Sequence, residues 1–200
     1  LTVPLSRFVS QNLNNLSFPF KRFQTQLVWR AERPQRGRFR EFLQCDVDII
    51  GESNHLNEVE CIKVYDTVFK RLGMPKVNLR INNRQILEGI SQLMNLDSVN
   101  EIASILDKTD KIGVDGVINE LKKKNISDTA IDQLNFFLDL KGSNREKINN
   151  LRAKFSSNKI SANGLDLLEK VINTSQKFNL KNIDISFDLS LARGLSYYTG

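Results

Sequence analysis

Between Phe23 and Gly51 the sequence leaves few folds open. Residues 23 to 31, FQTQLVWRA, are rich in aromatic and β-branched types on an alternating pattern, and residues 41 to 51, EFLQCDVDIIG, repeat it. Between them RPQRGR holds Pro34 and Gly37, residues that turn a chain. A period of two flanking a breaker predicts a long β-hairpin with strands over 23–31 and 41–51. On the second strand Phe42, Gln44, Asp46 and Asp48 fall on one face, and Leu43, Cys45, Val47 and Ile49 on the other. The apolar face reads as the core face. The polar face either meets water, the default for an antiparallel sheet, or lines a pocket beside the arginines of the turn.

Charge is concentrated on this hairpin. The net charge is +6, and residues 21–40 hold seven Lys or Arg against one acid, while the other 180 residues hold 22 of each sign. A local excess of that density suits phosphate, of a nucleotide or of a nucleic acid backbone, although a solvated basic loop has the same composition.

Around the hairpin, Val3, Leu5, Phe8, Val9 and Leu13 have helical spacing, which predicts a helix within residues 3–15 after Pro4. Residues 53–73, SNHLNEVECIKVYDTVFKRLG, open with a Ser or Asn cap, keep helical spacing from Leu56 to Leu72, and stop at Gly73. VNLRIN, 77–82, alternates as a strand, and helical spacing resumes over 84–94. Residues 95–178 carry four or five short amphipathic stretches and read as a helical insertion. NIDISFDLS, 182–190, returns to a strand. The expected organisation is a core of residues 1–94 and 179–200 with an insertion domain over 95–178, in an α+β fold.

Several function classes lose support. Hydrophobic content of 40% with twelve Phe is enough for a real core, and no apolar run reaches the roughly 18–20 residues of a membrane span. Cys45, Cys61 and the single His55 have no metal-ligand spacing, so neither a zinc site nor a disulfide framework is expected, the cysteines read as small buried hydrophobes, and a reduced, cytoplasmic setting fits. His55 reads as a helix-start or surface residue. The first residue is Leu and the chain stops at YYTG within a strand pattern, which reads as a piece excised from a longer protein.

Two segments carry a resemblance. Trp29-Arg30-Ala31-Glu32 with the return Arg38 to Phe42 resembles the second signature motif of class II aminoacyl-tRNA synthetases, and RAERPQRGRFREFLQCDVDIIG is close to the histidyl branch of that family. LARGLSYYTG, 191–200, resembles the same branch's histidine-binding signature. The resemblance implies an antiparallel sheet flanked by helices, with the active site on its open face and a helical insertion between the two signatures. It also implies an enzyme that joins L-histidine to ATP, taken as its magnesium complex with no structural metal, releases pyrophosphate, and passes the histidyl group to tRNA(His) as a soluble homodimer.

By the same resemblance Arg30 grips the α-phosphate and the histidine carboxylate, Glu32 accepts from the adenine side, Arg38 meets the distal phosphates, and Phe42 stacks on adenine. Thr2, Gln44, Asp48, Tyr197 and Tyr198 recognise histidine; the strand pattern alone offers another reading, one core ring and one pocket ring, because neighbours in a strand face opposite ways. Arg193 brings a second guanidinium to the α-phosphate across a shared cleft and contacts histidine, and Gly194 lets the backbone approach. Ser196 replaces the Asp or Asn of the family pattern. Arg33, Arg36 and Arg40 remain open between contacts to the tRNA acceptor end and solvated loop charge, and Asp46 between a pocket wall and an ion-pair partner.

The family's first motif would precede Leu1 and its third would follow Gly200, so the isolated 200 residues are expected to be inactive. Two other readings stand beside the enzyme. One is a synthetase-like regulatory subunit of histidine biosynthesis, an ATP phosphoribosyltransferase regulator, in which ATP-facing residues would be eroded; Arg30, Glu32, Arg38, Phe42 and Arg193 are all present. The other is a nucleic-acid-binding module built on the basic hairpin.

Overall fold

The computed structural model describes residues 1–96, 98–123, 127–155 and 158–192. The chain divides into two compact units, Leu1–Cys61 and Ile62–Gly200.

The first unit opens with helix α1, Thr2–Gln11, which carries Pro4 in its first turn, where a missing N–H costs nothing. A 3-10 turn follows at Leu13–Asn15. Strands β1, Phe20–Trp29, and β2, Glu41–Ile50, pair antiparallel from Phe20↔Ile50 to Trp29↔Glu41. β1 starts three residues ahead of the expected position, because Phe20, Lys21 and Arg22 find partners in Ile50, Ile49 and Asp48. Beyond the strands the backbone stays paired, with Arg30 N–H donating to Arg40 O at 2.8 Å. The loop then closes in a turn in which Gln35 and Arg38 exchange backbone hydrogen bonds and Gly37 takes φ 77°, a value open to glycine at the third position of a tight turn.

The faces of this hairpin are covered in the opposite sense to the sequence expectation. Along β2, Phe42, Gln44, Asp46 and Asp48 are half-buried, while Leu43, Cys45 and Val47 are exposed. Phe23 on β1 is 79% exposed and Leu43 66%. The polar residues are covered because they bond to one another along and across the strands, and Phe8 of α1 packs near Phe20, with ring centroids 6.2 Å apart. Cys45, expected to be buried, is exposed, and its Sγ accepts from Thr25 Oγ1 at 3.3 Å. Cys61 is half-buried, and its thiol is pushed up first by burial and then by Glu58, Glu60 and Asp48. We therefore expect a disulfide reagent such as DTNB to titrate Cys45 before Cys61 at neutral pH; equal rates in single-cysteine variants would contradict this.

Helix α2, His55–Arg71, starts in the first unit, where Asn54 Oδ1 caps Leu56 N–H at 3.0 Å, and ends in the second, followed by Gly73 at φ 64°. The second unit continues with β3, Val77–Ile81, then α3, Arg84–Leu93. Next come α4, Val99–Lys123, interrupted by Gly113 at φ 71°, and α5, Asp128–Leu138. The last elements are α6, Asn144–Lys154, α7, Lys159–Gln176, and β4, Ile183–Phe187. Asn83, Ser127, Ser143 and Asn158 each cap the helix that follows by accepting a backbone N–H.

β3 and β4 pair in parallel from Val77↔Ile183 to Ile81↔Phe187, as two strands joined by a long helical crossover can. The α+β class holds, and among the described residues the strands form one antiparallel and one parallel pair. The core of the second unit runs through α3 to α7 and into β4, with Ile86, Ile90, Leu134, Leu151, Leu165 and Phe187 fully buried. Thus α3 and β4, which flank residues 95–178 in sequence, share apolar packing with the helices of that stretch. The buried Asp66 of α2 ties the approach to β4, accepting from Lys181 N at 3.0 Å and Asn182 N at 2.7 Å.

Candidate functional site

At the turn end of the hairpin a cavity of about 330 Å³ is lined by Arg30, Glu32, Gly37, Arg38, Phe39 and Phe42. Four residues expected to handle ATP thus share one concavity. The antiparallel register brings them together, since Arg30 directly follows β1, Phe42 sits near the start of β2, and the turn folds Arg38 back towards Glu32. Arg38 Nη1 lies 3.7 Å from Glu32 Oε2, with both side chains largely exposed, a pairing worth under about 1 kcal/mol in itself. Phe39, 69% exposed, adds an apolar wall that the sequence reading missed.

Arg30 is the hinge of the arrangement. Its guanidinium carbon sits 5.1 Å from the centroid of the Phe42 ring, and its Nη2 donates to Gln44 Oε1 at 3.0 Å. One cation therefore touches both the aromatic wall of the cavity and the first amide of the polar strip that runs along the hairpin. In that strip Gln44 Nε2 donates to Asp46 Oδ1 at 2.7 Å, which accounts for Asp46 as a neighbour's acceptor within the strip. Asp48 lies 2.7 Å from Arg22 Nη2 across the strands, and Arg22 Nη1 donates to Gln24 Oε1. Arg22 escaped the sequence reading because a lone basic residue in an alternating strand looks like solvent-facing charge.

Arg33 and Arg36 are exposed on the loop, whereas Arg40 Nε donates to Glu32 O at 3.3 Å and braces the loop's own backbone. Thr2 opens α1 with its side chain exposed. Arg193, Gly194, Ser196, Tyr197 and Tyr198 lie outside the described residues. The segment leading to them is described and held by several groups. Asn82 Nδ2 donates to Leu191 O at 3.1 Å and to Leu189 O at 3.3 Å. Asp188 accepts from Ser190 N at 2.9 Å and pairs with Arg80 at 2.9 Å. Asn144 of α6 borders β4 as a further strand would, donating to Ile185 O and accepting from Phe187 N, each at 2.8 Å. Among the described residues no helix is long and apolar enough to cross a membrane, and no three His, Cys, Asp or Glu gather as for a metal ion.

A cavity walled by two aromatic rings and two guanidinium groups, next to a strip of carboxylates and amides, suits a nucleotide beside a smaller polar ligand. The family model described as histidyl-tRNA synthetase matches residues 1–200, and the chain belongs to that family. A histidine–tRNA ligase of Azobacteroides pseudotrichonymphae is 49% identical over all of this chain and 43% of its own length. That of Bacteroides fragilis is 47% identical, over all of this chain and 44% of its own length. The crystal structure of histidyl-tRNA synthetase from Nostoc sp. PCC 7120 superposes with a TM-score of 0.88 at 32% identity, covering all of this chain and 46% of that one. A Bacillus halodurans structure titled as an ATP phosphoribosyltransferase regulatory subunit/histidyl-tRNA synthetase shares the fold, with a TM-score of 0.81 at 21% identity over all of this chain and 50% of that one. The chain spans less than half the length of the curated relatives it matches.

Proposed function

We propose that this chain is part of the catalytic region of a cytoplasmic, homodimeric histidine–tRNA ligase, in which residues 1–94 and 179–200 form the catalytic core and 95–178 an inserted helical domain. The observation that carries the reading is the position of Arg30, at the wall of the 330 Å³ cavity against Phe42 and bonded to Gln44. A group there can touch two reactants at once.

The chemistry asks for this. A carboxylate of histidine attacks the α-phosphorus of ATP, the bond to the bridging oxygen breaks, and pyrophosphate leaves. Two anions must be brought into line, so the site must neutralise charge where it builds up and hold both groups at reacting distance. Arg30 offers a planar fork of donors to the α-phosphate and the attacking carboxylate. Phe42 gives the adenine ring an apolar face, Glu32 accepts from the base, and Arg38 exchanges its loose pairing with Glu32 for the distal phosphates. Magnesium bound to the ATP would shield its phosphates. Gln44 and Asp48 then read the amino acid, Asp48 accepting an imidazole N–H, together with Thr2, Tyr197 and Tyr198. Arg193 supplies a second cation at the α-phosphate. The histidyl group finally passes to the terminal ribose hydroxyl of tRNA(His), with Arg33 and Arg36 available to its phosphates.

The test is exchange of labelled pyrophosphate into ATP by the full-length protein. We expect exchange that depends on L-histidine and not on the other nineteen amino acids. Binding of histidine without any exchange would favour the regulatory-subunit reading. The presence of Arg30, Glu32, Arg38 and Phe42 around one cavity favours the ligase.

A further inference from the structure

Arg22 belongs to none of the motifs, yet it is less exposed than the carboxylate it pairs with on the polar strip. It stands opposite Asp48 in the strand register. Its side chain is 13% exposed against 33% for Asp48, and Nη2 lies 2.7 Å from Oδ2. Its other terminal nitrogen donates to Gln24 Oε1. Arg22 Nε and Asp48 Oδ2 are buried without an aligned hydrogen-bond partner, so the pair is held by charge through the short Nη2 contact, with the guanidinium's other end fixed on Gln24.

The rungs of this face show why the pairing matters. From Phe20↔Ile50 to Val28↔Phe42 the residues pointing this way are Phe20, Arg22, Gln24, Gln26 and Val28 on β1, and Phe42, Gln44, Asp46, Asp48 and Ile50 on β2. One guanidinium thus faces two carboxylates. Asp46 and Asp48 are two residues apart on the same side of a strand, about 7 Å, and repel each other in a partly dry setting. Asp46 is occupied by Gln44 Nε2. Asp48 is matched by Arg22. A carboxylate whose charge is already balanced acts towards a ligand as an oriented hydrogen-bond acceptor more than as a counter-ion, which suits a neutral ring N–H over an alkylammonium or guanidinium side chain. Aspartate is also one methylene shorter than glutamate, so its reach depends on which way it is pulled.

We propose that Arg22 is a positioning residue for amino-acid recognition, acting through Asp48: it fixes the carboxylate's direction and balances its charge so that Asp48 accepts an N–H of the substrate side chain. This rests on the reading of the chain as a histidine-activating enzyme. Removing the guanidinium leaves a partly buried carboxylate unbalanced, and the carboxylate then turns towards water.

The experiment is histidine-dependent ATP–pyrophosphate exchange by the full-length protein, its R22Q, R22K and D48N variants, and R22Q combined with D48N, with the melting temperature of each. For R22Q we expect KM for histidine to rise tenfold or more while KM for ATP stays within twofold. R22K, which keeps the charge and loses the fork, should fall between. D48N combined with R22Q should cost less than the product of the single effects, because both act on one contact. An active parent whose R22Q variant keeps its histidine KM, or whose two KM values rise together with a lowered melting temperature, overturns this inference alone. If R22Q does not fold, R22K decides: a histidine KM raised threefold at constant ATP KM supports the role, and an unchanged one removes it. A parent without histidine-dependent exchange overturns the parent reading and this inference together.

Discussion

Replacing Arg30 with alanine in the full-length protein is expected to lower histidine-dependent pyrophosphate exchange by about 10²- to 10³-fold, the usual loss when one preorganised donor to a transition state is removed. The size follows from what Arg30 touches. It is exposed, yet its guanidinium is held on two sides, by the Phe42 ring 5.1 Å away and by Gln44 at 3.0 Å, so its direction is set before any ligand arrives. Its backbone is fixed as well, by the bond from its N–H to Arg40 O. A preorganised cation spends little on reorientation when charge develops on the phosphate. Lysine at this position should recover little of the rate, because an ammonium carries the charge but cannot keep the contact with Phe42 while donating through a planar fork. Arg38→Ala should act differently if Arg38 has the proposed role at the distal phosphates, raising KM for ATP several-fold with a smaller change in kcat, since its contact with Glu32 at 3.7 Å is loose enough to be exchanged for a ligand. Exchange by Arg30→Ala within tenfold of the parent rate would remove Arg30 from the chemistry.

The sequence carried the hairpin well because two independent local signals agreed there, alternation in both strands and a Pro and Gly in the turn. It also gave α2 and its ends, since Asn54 and Gly73 do locally what a cap and a stop do. The face of the hairpin that is covered was not legible. Alternation states that two faces differ, and the usual assumption buries the apolar one, but Phe23 and Leu43 are exposed while Gln44 and Asp48 are half-buried. Cover came from a mutual network, Arg22 to Asp48, Arg30 to Gln44 and Gln44 to Asp46, and such a network depends on cross-strand register, which pattern alone does not fix. For the same reason Phe42, Glu32 and Arg38 could be named from the resemblance while Phe39 and Arg22 could not. In the second unit, Asn82 and Asn144 bond the backbone at residues 107 and 41 positions away, and nothing local in sequence announces a contact at that distance.

The largest loss of stability in the second unit is expected at a residue with no side chain. Gly89 sits inside α3 and is buried. A methyl group built there would lie 1.5 Å from Ser161 Oγ and 2.8 Å from Ser161 Cβ, with Phe155 Cε1 at 3.2 Å. Ser161 is fully buried in the first turn of α7, so its hydroxyl can turn aside only into packed neighbours, and its Cβ cannot move without the backbone. Gly164, one turn further along α7, makes a second close approach: a Cβ there would meet Gln85 Cβ at 2.9 Å. The two helices therefore touch nearly backbone to backbone, and their separation is set by these two glycines. Glycine inside a helix costs about 1 kcal/mol relative to alanine, so in open space Gly89→Ala would stabilise. Here the steric term wins. We expect Gly89→Ala to destabilise by about 2–3 kcal/mol, and Gly89→Val by more, through forced separation of α3 from α7. The matching relief is Ser161→Gly, which removes both clashing atoms. Alone it should cost about 0.5 kcal/mol by helix propensity, besides the long contact of the Ser161 hydroxyl with Gln85 O, but in the Gly89→Ala background it should restore most of the loss, because the pair then exchanges which helix supplies the gap. Urea melts of the four proteins measure this coupling. Additive effects of the two substitutions, or a Gly89→Ala protein more stable than its parent, would mean that the helices lie further apart than described.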